Sequence, residues 1–300
     1  MTYAKLSGAL LARKDPPVAT TLAQMVSVPN NVSVPAPAPA PLAGESVRLL
    51  AQYLRALKLP TFVAEHEKLA RQFSAEGLDA SRFLLRLAEL ELAERERQIV
   101  ERRIKEARFP GPKELDGFDF TALPRLDRTL VLDLARCDFI MRHENVIALG
   151  DSGTGKTHLA VALGLAACRN GFSARFVTAA ALARELIETH DQRGLTQLQR
   201  RLMACKLLIV DELGYVPLPP AGAELLFEVI SHRYERGATI VTSNLGFDDW
   251  TGVFGSPGLA HAAVERLTHR AHVLDMHGDS YRQRQSGAGT ARQPGSPNEI

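Results

Sequence analysis

From Leu130 onward the chain alternates short, nearly continuous apolar runs with longer stretches whose apolar residues recur every three or four positions. The short runs predict strands at 146–149, 174–178, 206–211, 238–243 and 272–276, and the stretches between them predict helices. Strands alternating with helices point to an α/β fold, a parallel sheet with crossover helices. The third run, Lys206-Leu207-Leu208-Ile209-Val210, is unbroken until it ends in Asp211-Glu212, the mark of a central strand covered on both faces. Upstream the period is helical throughout. Val47, Leu49, Leu50, Tyr53, Leu54 and Leu57 mark one helix, Phe62 to Phe73 a second and Ser81 to Arg108 a long third, with Pro60 and Gly77 as breaks. The pattern predicts a small all-α domain over 45–108, a loop-rich linker over 109–129 anchored by Phe118 and Phe120, and an α/β domain over 130–285.

The ends of the chain have a different character. Residues 1–44 finish in Val34-Pro35-Ala36-Pro37-Ala38-Pro39-Ala40-Pro41, where alternating proline removes backbone donors and favours an extended tether, so this head is expected to be disordered and outside any core. Residues 286–300 are expected to form a flexible tail. At 45% hydrophobic residues the 300-residue chain has enough apolar mass for a sizeable core, and no run of 18 apolar residues suggests a membrane span. With no compact apolar leader at the start, a cytoplasmic location is expected. Cys137, Cys168 and Cys205 are odd in number and widely spaced, which fits reduced thiols better than disulfides or a zinc site.

The strongest chemical signal follows the first strand. Gly150-Asp151-Ser152-Gly153-Thr154-Gly155-Lys156-Thr157 has the spacing G-x-x-x-x-G-K-T, between the apolar run Val146–Leu149 and a predicted helix from Lys156 to Ala167. Glycines there let backbone N–H groups converge on phosphate oxygens, the lysine neutralises the β- and γ-phosphates, and the threonine hydroxyl ligates Mg²⁺. The helix N-terminus adds free N–H groups and the positive end of its dipole. The nucleotide-binding stretch runs from Gly150 through Thr157 to His158.

Asp211 and Glu212 emerge at the carboxyl end of the third strand, where open α/β sheets bind their ligands. Asp211 is placed to complete with Thr157 a Mg²⁺ site, and Glu212 to orient or deprotonate an attacking water. Thr242-Ser243-Asn244 ends the fourth run, and the Asn244 amide is a candidate to bond that water or the γ-phosphate. The predicted catalytic set is therefore Lys156, Asp211, Glu212 and Asn244, acting on ATP with Mg²⁺.

Several longer stretches carry a resemblance. GDSGTGKTHLA, KLLIVDELGY, LLFEVISHRYERGATIVTSN and GDSYRQR, with LRALKLP, FLLRLAELELAERERQ and ARFPGPKELDGFDF upstream, resemble the IstB-like helper ATPases of insertion sequences, which are similar to DnaC helicase loaders in the AAA+ class. The likeness covers about 45 to 285. It implies an AAA+ P-loop sheet of order 5-1-4-3-2, places Asn244 as the polar sensor, and matches Arg266 to an arginine finger that reaches a neighbouring subunit's nucleotide, with Arg282 as the competing candidate. It also implies an ATPase that assembles on DNA as an ATP-dependent oligomer and stimulates an IstA-like transposase. A helicase loader in DNA replication and a nucleotide-switched scaffold with little hydrolysis are the alternatives. Within the resemblance, Asp151-Ser152 stand where relatives often have neutral residues, and a carboxylate near phosphates is unfavourable unless it points to solvent.

Charge bears on the DNA expectation only locally, because the formal net charge is +2. Two basic segments stand out. Arg102, Arg103, Lys105 and Arg108 interleave with glutamates at the end of the long helix, whereas Arg193, Arg200, Arg201 and Lys206 lie in a stretch without an acidic residue and are the preferred DNA contacts.

Overall fold

The computed structural model describes residues 43–76, 79–189, 192–278 and 280–281. The Pro/Ala-rich head up to residue 42, the tail 286–300 and Arg282 lie outside the described residues. The chain divides into two compact units after Ala64. The first unit holds α1 (Ala43–Ala56) and the start of α2 (Pro60–Glu76). Between them Lys58 takes a left-handed conformation (φ 57°) and Leu59 N–H donates to Leu54 O at 2.9 Å. Pro60 then opens α2, a first-turn position where its missing N–H costs nothing.

The second unit begins with the rest of α2 and contains α3 (Ala80–Ala107), 28 residues long. Along its length run the pairs Arg95–Glu91 at 2.8 Å, with Glu91 buried, and, more exposed, Arg97–Glu94 at 2.7 Å and Arg97–Glu101, at the three- and four-residue spacing that brings side chains together on a helix. Its last turns are anchored. Ile104 and the fully buried Ala107 join the core, and Phe109 meets Phe176 edge to face at 6.4 Å. Residues 109–126 lie on that same core through Leu115, Phe118, Phe120, Leu123 and Leu126.

Asp127 then caps α4 (Arg128–Leu134), accepting from the N–H groups of Thr129 and Leu130, and α5 (Asp138–Met141) leads into the sheet. From there β1 (Asn145–Leu149), α6 (Lys156–Arg169), β2 (Ala174–Thr178), α7 (Ala179–Glu188), α8 (Gln192–Ala204), β3 (Leu207–Leu213), α9 (Pro220–Arg233), β4 (Ala238–Ser243), α10 (Trp250–Phe254), α11 (Pro257–Thr268) and β5 (Ala271–Asp275) follow. Every pairing is parallel and the order is β2-β3-β4-β1-β5, the order that the resemblance implies. One apolar layer packs α6 and residues 104–126 on one face of the sheet; the other packs α7, α9, α10 and α11 on the opposite face. This double cover is why β3 reads as an unbroken apolar run.

Arg233 shows how the crossovers are fastened. It is 2% exposed, and its guanidinium donates to the carbonyls of Leu202 (2.6 Å), Cys205 (3.0 Å) and Ala238 (2.6 Å) and to Thr239 Oγ1 (3.2 Å). Burial pulls its pKa below the usual guanidinium value. The Leu202 carbonyl belongs to the last turn of α8, so the cation also sits at the negative end of a helix. Arg233→Met is expected to lower the thermal midpoint by roughly 5–10 °C, because each buried carbonyl left without a donor costs about 1–3 kcal/mol. Differential scanning calorimetry checks this, with nucleotide affinity at about 20 °C expected to be unchanged. The three cysteine thiols are free and buried, and burial pushes those of Cys137 and Cys168 up to about 11. Among the described residues no helix is long and apolar enough to cross a membrane.

Candidate nucleotide site

The chain leaves β1 at Leu149, loops through residues 150–155 and enters α6 at Lys156, with Gly155 as the N-cap at φ 97°. Two glycines are required by what surrounds them. A side chain on Gly150 would run into the carbonyl of Met276, and one on Gly155 would meet the Phe118 ring at 2.9 Å, besides the cost of a positive φ. Thr154 Oγ1 donates to Asp151 O at 2.9 Å and closes the loop internally. Lys156 Nζ donates to the carbonyls of Gly150 and Asp151, each at 2.6 Å, which holds the ammonium over the loop. Asp151 turns its carboxylate outward: it is exposed, and Oδ2 accepts from Gly278 N–H at 3.3 Å.

Opposite the loop, β3 delivers the carboxylates. Asp211 is 2% exposed, and Thr157 Oγ1 lies 3.1 and 3.0 Å from its two oxygens. Thr242 Oγ1 donates to Asp211 Oδ1 at 2.5 Å. Both of these neighbours of the buried carboxylate are hydroxyls. Hydroxyl and carboxylate oxygens are the hard donors Mg²⁺ takes, usually from one or two carboxylates plus phosphate. The donor set therefore fits the metal.

Glu212 is exposed in the left-handed region (φ 59°), a conformation that costs a non-glycine residue about 1–2 kcal/mol and concentrates at functional positions. It lines the same cleft, of about 280 Å³, as Ser152, Gly153, Thr154, Gly155, Lys156, Thr157, His158 and Asn244. The structure thus brings the phosphate loop, Glu212 and Asn244 to one cavity, with Asp211 buried against Thr157 at its edge.

Other expected residues lie elsewhere. Arg266 is outside the cleft, half-buried on α11, with Nη1 donating to Ser231 Oγ at 2.6 Å and its guanidinium 4.5 Å over the Phe227 ring. Arg193, Arg200 and Arg201 belong to α8, where Arg200 and Arg201 are exposed, and Lys206 is exposed just before β3.

The cleft is also lined by residues to which the sequence assigned no site role: Lys113, Gly117, Phe118, Asp119, Ala122, Tyr215 and Tyr281. His158 fastens part of this wall. Its Nε2 is 2.8 Å from Glu114 O, and its ring meets Phe118 edge to face at 5.5 Å. Arg169 grips the Glu114 carboxylate through two bonds of 2.7 and 2.6 Å and holds its pKa below the usual range. The available signal was the Phe118/Phe120 pair, legible as an anchor but not as a cavity wall.

With β4 lying between the strand that carries the phosphate loop and the strand that carries the carboxylates, the fold is that of AAA+ P-loop proteins. Within that class, the chain belongs to the family of IstB-like ATP binding proteins, which it matches over residues 52–288. It is 36% identical over 234 residues to the putative ATP-binding protein of insertion sequence IS5376 from Geobacillus stearothermophilus, covering 78% of this chain and 93% of that one. It is also 38% identical over 229 residues to the putative ATP-binding protein of insertion sequence IS21 from Pseudomonas aeruginosa, covering 76% of this chain and 86% of that one. Among solved structures, DnaI superposes with a TM-score of 0.47 at 18% identity over 60% of this chain and 98% of that one.

Proposed function

We propose that this protein is a Mg²⁺-dependent ATPase that assists DNA transposition, assembling on DNA as an ATP-bound oligomer and stimulating a partner transposase. The observation that carries the chemistry is the convergence of Lys156, the Thr157–Asp211 pair and Glu212 on one cleft. Its membership of a family with insertion-sequence relatives supports the biological setting. Lys156 and the loop N–H groups take the β- and γ-phosphates. Thr157 and Asp211 hold Mg²⁺, which when bound supplies positive charge to the phosphate oxygens. Glu212 orients and deprotonates the attacking water, and Asn244 positions that water or the γ-phosphate. Arg266 serves the nucleotide of a neighbouring subunit, a role in which an arginine contributes roughly 10³–10⁵ in rate.

A strand-transfer assay with an IstA-like transposase as the partner tests this reading. ATP is expected to raise product formation, ADP to leave it at the transposase-alone level. Stimulation of a replicative helicase instead would replace the client. The interface role has its own check: Arg266→Ala and Glu212→Gln variants, each slow alone, should recover part of the ATPase rate when mixed, because some mixed interfaces pair an intact arginine with an intact carboxylate. Absence of any recovery moves the role away from Arg266.

The arginines of α8 are the proposed DNA contacts. Affinity should be similar for unrelated duplexes and fall steeply with salt, and Arg200→Glu/Arg201→Glu should flatten the log–log salt slope by roughly one unit for each phosphate that is no longer neutralised. Fluorescence anisotropy between about 50 and 200 mM salt reads that slope. An unchanged slope assigns DNA binding to another surface.

A further inference from the structure

We infer that Thr242 is the positioning residue that joins Asp211 and Glu212 into one rigid unit, so that its hydroxyl sets both the metal-holding and the water-activating carboxylate. This rests on the ATPase reading of the cleft and deepens it. The observation is a break in the β3–β4 ladder. Val210 pairs with Val241, but the next pair is Leu213 with Ser243, so Asp211 and Glu212 together face Thr242 alone. Such a bulge re-aims side chains next to active sites. In a regular strand, consecutive side chains point to opposite faces. Here Glu212, at φ 59°, lines the cleft, while Asp211 bonds Thr157 at the same cleft.

A bulge leaves the extra residue outside the ladder, and a buried N–H without an acceptor is costly. Thr242 supplies the acceptor. Glu212 N–H donates to Thr242 Oγ1 at 2.9 Å, and the same hydroxyl donates its own proton to Asp211 Oδ1 at 2.5 Å. The run Glu212 N–H to Thr242 Oγ1–H to Asp211 Oδ1 uses the hydroxyl both as acceptor and as donor, and each bond polarises the other. Thr242 is 1% exposed, so water does not readily substitute for either bond. Its single proton is committed to Oδ1, which fixes the rotation of the Asp211 carboxylate relative to Thr157. Its lone pair fixes the backbone from which Glu212 projects.

The test compares Thr242→Val, which keeps the branched shape and removes the hydroxyl, with Thr242→Ser, which keeps the hydroxyl, and with Thr242→Ala should the valine variant fold poorly. Three quantities are read on the full chain: affinity for a fluorescent ATP analogue without Mg²⁺, the Mg²⁺ concentration at half-maximal nucleotide binding, and kcat and KM for ATP. The hydroxyl-free variants are expected to keep metal-free affinity within about threefold, raise the Mg²⁺ midpoint and lower kcat by roughly 10–100-fold each, as losing a partner behind a metal ligand does, and leave KM at saturating Mg²⁺ nearly unchanged. Thr242→Ser should return both to within about threefold of wild type. A valine or alanine variant whose Mg²⁺ midpoint and kcat match wild type overturns the assignment. So does a loss of metal-free affinity in the hydroxyl-free variants, which makes the residue a general support of the fold. A wild-type protein without turnover removes the ATPase reading, while the Mg²⁺ midpoints still decide the role of Thr242.

Discussion

Replacing Lys156 with alanine is expected to abolish measurable nucleotide binding and leave the fold in place. Its ammonium bonds the loop carbonyls Gly150 O and Asp151 O, and the side chain belongs to neither apolar layer. What it contributes is charge beside the loop, where each bond to a phosphate oxygen is charge-assisted and contributes about 1.5–3 kcal/mol. Two such bonds correspond to an affinity loss of roughly 150-fold or more. Isothermal calorimetry should therefore show no heat of binding at nucleotide concentrations that saturate the wild type. The thermal midpoint of the nucleotide-free variant should stay within a few degrees. Wild-type affinity in the variant would remove the phosphate-loop assignment, since no other basic side chain of the loop offers a charge there.

Glu212→Gln is expected to separate binding from turnover in the opposite way. Glutamine matches glutamate in shape, and the Glu212 backbone is held by Thr242 and the bulge, so the variant should retain its conformation. The amide cannot take a proton from water, and loss of a positioned general base costs roughly 10²–10⁴ in kcat. Nucleotide affinity should equal or slightly exceed that of the wild type, with phosphate release at or below a hundredth of its rate. A malachite-green time course with parallel calorimetry reads both. If turnover persists at the wild-type rate, the carboxylate is a structural feature of the turn and another group activates water.

The two replacements differ in how their residues became visible. Lys156 lies in a motif whose eight positions are consecutive, running from the loop into the first turn of α6, so its spacing reports the local geometry directly. Glu212 was legible as a carboxylate at the end of a strand, but the expected strand stopped at residue 211 and β3 continues to Leu213. The extension depends on the bulge, a relation between two strands about thirty residues apart, and no local period records it. Thr242 was read as part of the end of the fourth run while the neighbouring amide of Asn244 drew the functional assignment. Only the approach of β4 to the bulge shows which hydroxyl joins the Asp211 carboxylate to the Glu212 backbone.

By itself the sequence determined where the five strands fall, that helices separate them, that the third strand is covered on both faces, and that a phosphate loop follows the first. Each of these is written in the spacing of neighbouring residues, through the periods of about 2 and 3.6 and the needs of a tight turn. The order of the strands came from family likeness, because alternation does not say which parallel strands are neighbours. Tertiary structure alone decided that Lys113, Phe118, Asp119 and Ala122 line the cleft, that Arg233 fastens α8 to the sheet, and that Arg266 rests on Phe227 and Ser231 of its own chain. Those arrangements join groups far apart in the chain, and their energies arise only when separate elements pack, so the residues' local surroundings hold no trace of them.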